Sequence, residues 1–251
     1  MKIALCFSGQ PRFVSECYEY IRNNVISSYE VDIFAHLWFD EDLQTKPYKY
    51  GGDGKWVEQR IPSNAIKTFE TLYNPKLIKI EKSKIFKNSS ICFEPSLERY
   101  WPGAINNPLE PNYKERTINN CLSYFYSLQE VNKLKKLYEY ENNFKYDCVI
   151  RSRTDSVVLN PVNYKNYNLD TINFSNINHQ PDGMICDWFN FGNSKIMDAF
   201  MSVFSVWELV YNKTMQENQG AWCHELLHRK MIDCFNIPIS GHPIQVVLPR
   251  F

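Results

Sequence analysis

An α/β fold built on a mostly parallel, twisted sheet is predicted from three observations. The chain has 251 residues, a length at which one core can bury roughly three quarters of the surface that the unfolded chain exposes. Its first forty residues spell an apolar strand, an amphipathic helix and a second apolar strand, an order that predicts a right-handed crossover and a parallel pair. A long amphipathic helix further on runs into another apolar strand. One domain over 1–251 follows, with 1–160 as one part and 161–251 as the other.

Taken in order, Lys2–Ser8 is a short apolar run stopped by Gly9, Pro11 and Arg12, a buried strand entering a loop. Residues 15–29 carry Cys17, Tyr18, Ile21, Val25 and Ile26 at helical spacing behind Ser15 as N-cap. Val31–Trp38 is the second strand. Residues 39–61, with Gly51–Gly54, read as a loop above the strand ends, either a lid or a plain insertion. Residues 63–73 read as helix and Leu77–Glu81 as strand. Four prolines (Pro95, Pro102, Pro108, Pro111) forbid regular structure over 95–115. Over 116–140 an apolar stripe of Ile118, Cys121, Leu122, Phe125, Leu128 and Leu134 predicts a long helix. Tyr146–Arg151, Thr171–Phe174, Trp188–Phe191 and Ile244–Leu248 are strands. Helices are expected over 194–212, with Ile196, Met197, Phe200, Phe204, Trp207 and Tyr211 inward, and over 220–235.

Composition excludes several classes. The 28 basic and 28 acidic residues cancel, so no long-range field draws in a polyanion and a duplex-binding role is disfavoured. Disorder is excluded by 16 Phe, 16 Tyr and 6 Trp. The eight cysteines are scattered without a CxxC pair, which reads as buried thiols in a reducing compartment. Ile3–Phe7 is too short for a signal segment, and no stretch approaches a membrane span. A cytoplasmic location is expected.

Chemistry concentrates in Tyr146–Asp155. Strand side chains alternate with period two, so Arg151, Arg153 and Asp155 leave the strand end on one side. Two guanidiniums suit a diphosphate, and a carboxylate beside them suits a divalent ion bridging the same phosphates. A structural Arg–Asp network at a sheet edge is the plainer use of these charges.

Four segments, Leu5–Arg12, Val31–His36, Tyr146–Asp155 and Asp187–Gly192, resemble in content and order the GT-A nucleotide-sugar glycosyltransferases, in particular bacterial and viral surface-glycan transferases. The resemblance implies a Rossmann-like GT-A domain, with nucleotide-sugar binding in 1–160 and the acceptor in 161–251. It implies transfer of a sugar from a nucleoside diphosphate sugar to a hydroxyl of a glycan, with an inverting outcome preferred. Ser8, Gly9, Gln10 and Arg12 are then implied to contact the nucleotide, Arg12 through a phosphate, and His36 to touch the base or ribose. The family's Asp-any-Asp metal motif is imperfect: Arg153 stands at its first position and only Asp155 matches the second. Mn2+ or Mg2+ on Asp155 is expected, with His242 as a late ligand and Arg153 supplying part of the ion's charge. Asp187, beside the aromatic run Trp188–Phe191, is the candidate base for the acceptor hydroxyl, or else binds a sugar. Asp182, in a Pro-Asp-Gly turn, is its rival.

Two other classes stay open. His224-Glu225-Leu226-Leu227-His228 matches HExxH, the zinc-hydrolase pattern in which two histidines one helical turn apart bind zinc. Downstream, Asp233 is the last acidic residue, and Met231 and Cys234 occupy the positions that a metzincin gives to Gly and His. His224, Leu227, His228 and Met231 also share one helix face, as partly buried histidines would. In the transferase reading Glu225 contacts donor or acceptor. The degraded metal triplet leaves a non-catalytic nucleotide-sugar binding protein as the third reading.

Overall fold

The computed structural model describes residues 1–45, 48–50, 57–86, 113–176, 184–216 and 224–249. The elements in chain order are β1 (Lys2–Gly9), α1 (Val14–Ile21), β2 (Glu30–Trp38), α2 (Glu41–Thr45), β3 (Tyr48–Tyr50), β4 (Val57–Gln59), α3 (Ala65–Tyr73) and β5 (Leu77–Glu81). They continue with α4 (Tyr113–Glu141), β6 (Cys148–Ser152), β7 (Val157–Val158), β8 (Ile172–Ser175) and β9 (Phe189–Gly192). The last are α5 (Ser194–Met201), α6 (Trp207–Gln216), α7 (His224–Cys234), β10 (Ile239–His242) and β11 (Val246–Val247).

Seven strands form one mixed, mostly parallel sheet in the order β10-β8-β9-β6-β1-β2-β5. β1 pairs in parallel with both β2 and β6, and β9 alone runs antiparallel to its neighbours. Strands from both 1–160 and 161–251 share this sheet. After β1 the chain builds outward on one side through β2 and β5, then returns to the other side through β6. The crevice at the carboxyl ends of β1 and β6 is therefore a topological switch point, where open α/β sheets bind ligands.

Side-chain alternation sorts the core into two layers. Ile3, Leu5 and Phe7 face α1 and α3, packing on Val14, Ile21 and Phe69. Ala4 and Cys6 face the opposite way, toward Leu122, Phe125 and Leu128 of α4. On β6 Cys148 and Ile150 join the first layer and Val149 the second, so Arg151 emerges on the α4 side. α4 is in turn tied to α5 by Lys135, which is fully buried and donates to Glu139, Ser194 Oγ and Asp198.

Several expectations are corrected. The first helix is capped at Phe13 in a left-handed conformation, not at Ser15, and its last turns, Arg22–Ile26, widen to π geometry. Within 39–61 the short helix α2 and the antiparallel pair β3–β4 replace a plain loop. The helix expected over 194–212 breaks after Met201, passes through a 3-10 turn and resumes at Trp207. β10 was not foreseen, and the last strand shortens to Val246–Val247. Residues 113–115 are helical. Gly51–Gly54, the four prolines of 95–111, Cys92, Asp182, Cys223 and the Ile118 side chain lie outside the described residues. None of the helices among the described residues is long and apolar enough to cross a membrane.

Candidate functional site

At the carboxyl ends of β1, β2 and β6 opens a cavity of about 330 Å³, within the range of small-molecule sites. Eight of the expected residues line it: Ser8, Gly9, Gln10, Arg12, Arg151, Arg153, Asp155 and Asp187. β1 contributes the first two. Gly9 adopts φ +119°, a conformation that side-chain-bearing residues rarely take, and a Cβ there would meet no atom within 4 Å. The loop beyond it is fastened from β6: Thr154 Oγ1 donates to the Gln10 carbonyl at 2.9 Å and accepts from the Arg12 amide at 3.1 Å. Gln10 Oε1 accepts from the Arg12 guanidinium, so the loop presents that cation already oriented.

Arg151 is 1% exposed. Its Nε donates to Ser8 Oγ at 3.1 Å, and its guanidinium carbon lies 5.0 Å above the centre of the Tyr124 ring. Its Nη1 has no hydrogen-bond partner among the described residues. A buried guanidinium with an unmade bond is costly in isolation, and this one lines the cavity. Arg153 forks onto Asp155, with Nε and Nη2 donating to the two carboxylate oxygens at 2.7 and 2.8 Å.

That fork bears on the expected metal. Both Asp155 oxygens accept from one guanidinium, so an ion on Asp155 would share that carboxylate with Arg153, and its expected pairing with His242 is corrected because the structure does not bring the two together. His242 lies on the sheet-edge strand β10, bonded to Asn173 Oδ1 at 2.7 Å, and does not line the cavity. His36 is corrected likewise. It is fully buried, with Nδ1 2.8 Å from Ser127 Oγ and Nε2 2.9 Å from Glu81. It therefore supports the cavity wall through Ser127 and does not itself line the cavity; burial, opposed by Glu81, lowers its pKa.

Asp187, just before β9, stands beside Arg153 in the same cavity. Its Oδ2 is 3.1 Å from His224 Nε2 and 3.6 Å from Arg153 Nη1. Its Oδ1 has no hydrogen-bond partner among the described residues, although the residue is only 5% exposed. Burial would raise its pKa, but the bond from His224 and the charges of His224, Arg153 and Arg151 hold it well below the usual carboxylate range. His224 shifts the other way: burial disfavours its charge, yet Glu225 and Asp187 outweigh that and raise its pKa. Nε2 of His224 is also 3.3 Å from Glu225 Oε1.

The HExxH pair does not assemble. His228 Nε2 donates to the Phe200 carbonyl at 2.8 Å, and Nδ1 lies 3.2 Å from the Tyr124 hydroxyl, which donates to it. Its ring stacks on Phe200, and burial pushes its pKa down to about 3. Both ring nitrogens are committed, so His228 offers no ligand, and zinc chemistry on the His224–His228 pair is corrected. What this histidine does is anchor Tyr124 beneath Arg151.

Sequence reasoning missed Trp38, Lys84, Asn119, Asn120, Ser123 and Tyr124, all of which line the cavity. Lys84 donates to Glu81 and the Tyr126 hydroxyl. The four α4 residues carried a signal, since they are the polar positions interleaved with the apolar stripe of the helix's first half. No protein-family model matches the chain, and no match to it is found among curated proteins.

Proposed function

We propose that the chain is a GT-A-type glycosyltransferase that takes a nucleoside diphosphate sugar into this cavity and passes the sugar to a hydroxyl of a glycan. The observation that carries the reading is Arg151, a buried cavity-wall guanidinium at the switch point of the sheet whose Nη1 has no partner among the described residues. An anion with several oxygens is the complement of such a group. Ser8, the Gly9–Arg12 loop and Arg153 surround the same space, which suits two linked phosphates better than one. As the sugar leaves, negative charge grows on the diphosphate, and fixed cations stabilise it without reorganising.

Asp187 and His224 line the same cavity and take the acceptor side. Asp187, held ionised, receives the hydrogen of the incoming hydroxyl. A carboxylate stabilised by three cations is a weak base, so its effect is to orient the hydroxyl and polarise it as the glycosyl bond breaks. We take inversion as the outcome, with the hydroxyl attacking the sugar on the face away from the leaving diphosphate.

The test is a thermal-shift screen of UDP, GDP, CMP and their sugar donors, since a ligand that binds only the folded chain raises the midpoint by mass action. One nucleotide series should raise it, and Arg151→Gln should weaken that ligand at least tenfold. Asp187→Asn should leave nucleotide affinity within about threefold while slowing sugar transfer to glycan acceptors at least a hundredfold, in the range of a lost general base. A screen in which no nucleotide shifts the midpoint would end the proposal.

A further inference from the structure

We propose that Asp187, His224 and Glu225 form a binding site for a divalent transition-metal ion, beside Arg153 and distinct from Asp155. Each of the three offers a donor atom, and these atoms lie within 4.8 Å of one another. His224 Nε2 stands 3.1 Å from an oxygen of Asp187 and 3.3 Å from an oxygen of Glu225. Donors bound to one ion by bonds of roughly 2.0–2.2 Å are separated by roughly 3.0–3.5 Å. The two separations measured from His224 fall in that range, and the third, between the two carboxylates, is within 4.8 Å.

The second observation is Asp187 Oδ1. It is buried without a hydrogen-bond partner among the described residues, in a side chain 6% exposed. A carboxylate oxygen removed from water and left unpaired is costly, and a cation supplies the partner that the described residues do not. Access is open on the other two ligands, whose side chains are 24% and 20% exposed. Arg153 Nη1, 3.6 Å from Asp187 Oδ2, is the nearest competitor, but its Nε and Nη2 are committed to Asp155. One imidazole with two carboxylates selects ions such as Mn2+ or Zn2+ over Mg2+. When bound, the ion would add Lewis acidity beside the hydroxyl that Asp187 receives.

The inference does not rest on sugar transfer, and it is tested without nucleotide. The full chain, stripped with a chelator and dialysed, is titrated with MnCl2 while free Mn2+ is followed by its paramagnetic resonance signal. One ion should bind per chain. Glu225→Gln and His224→Ala should each weaken it at least tenfold, and His242→Ala should leave it unchanged. Circular dichroism melts of each variant establish folding, and Glu225→Gln keeps the size of a partly exposed side chain. No binding up to millimolar Mn2+ would overturn the site, as would binding indifferent to both Glu225→Gln and His224→Ala. Loss of binding in Asp155→Asn with Glu225→Gln unaffected would move the ion to the strand end and overturn it too. Nucleotide binding through Arg151, measured separately in metal-free buffer, fails or succeeds independently of these outcomes.

Discussion

Thr154 shows how much of the cavity depends on a single hydroxyl. It is 1% exposed and closes two bonds to the loop after β1, one to the Gln10 carbonyl and one from the Arg12 amide. Thr154→Val preserves shape and removes both, leaving the Arg12 amide and the Gln10 carbonyl only the 2.9 Å bond that they make to each other, at about 1 kcal/mol for each bond lost. The loop should loosen before the fold does. We therefore expect nucleotide affinity to fall about tenfold, measured by calorimetry, with a smaller change in melting temperature; an unchanged affinity would show that Arg12 is oriented by other means. At this scale the sequence was informative where residue type meets strand periodicity. Arg151, Arg153 and Asp155 were legible because a strand end forces alternate side chains to one side. His36 obeys the same alternation, but its partners Ser127 and Glu81 come from α4 and β5. No local pattern reveals that a strand-end histidine is already satisfied by residues 91 and 45 positions away. His242 was misplaced for a similar reason, because the strand that carries it was not recognised.

Elements were legible in proportion to their apolar periodicity. β1, β2, β5, β6 and α4 emerged within a few residues of their bounds, since buried parallel strands and a long amphipathic helix impose strong patterns. β10 did not, because Ile239–His242 sits between Pro238 and Pro243 and contains Gly241. Such a strand is tolerated at a sheet edge, and Gly241 suits it there, since an added Cβ would come within 3.3 Å of Phe174 and Asn176. The break between α5 and α6 lacks Gly and Pro. It forms where Asn132 of α4 reaches the Asp198 carbonyl and Ser202 Oγ, a tertiary bond that outcompetes an uninterrupted 194–212 helix. The same helix pair yields a prediction. Lys135 is fully buried among Glu139, Ser194 and Asp198, and removing one member of a buried ion pair typically costs about 3–5 kcal/mol. Lys135→Met should lower urea-unfolding stability by about that amount. A loss under 1 kcal/mol would mean that Lys145, which also donates to Glu139, carries the pairing alone.

For the molecule as a whole, the histidines make stability depend on pH in two opposed ways. His228 has its pKa pushed by burial from 6.5 down to about 3, and burial lowers His36 and His242 too. Between pH 3 and 6.5 the unfolded chain binds protons that the folded chain refuses, so stability is full above 6.5 and declines as pH falls. His224 acts in reverse. Its pKa is raised in the fold, because Glu225 and Asp187 outweigh the burial that opposes its charge. Its contribution is complete below 6.5 and is lost as pH rises through the folded value. Asp187, with its pKa depressed, contributes above the ordinary carboxylate range and loses that only in strong acid. Urea-unfolding free energy of the metal-free chain should therefore peak at or just above pH 6.5 and decline on both sides. Each histidine contributes a slope of at most about 1.4 kcal/mol per pH unit. His228→Gln should flatten the acid limb, and His224→Gln the alkaline one, whatever each does to the absolute level. An acid limb untouched by His228→Gln would mean that the imidazole bonded to Phe200 and Tyr124 titrates as it does in the unfolded chain. The anchoring of Tyr124 beneath Arg151 would then lose its physical basis.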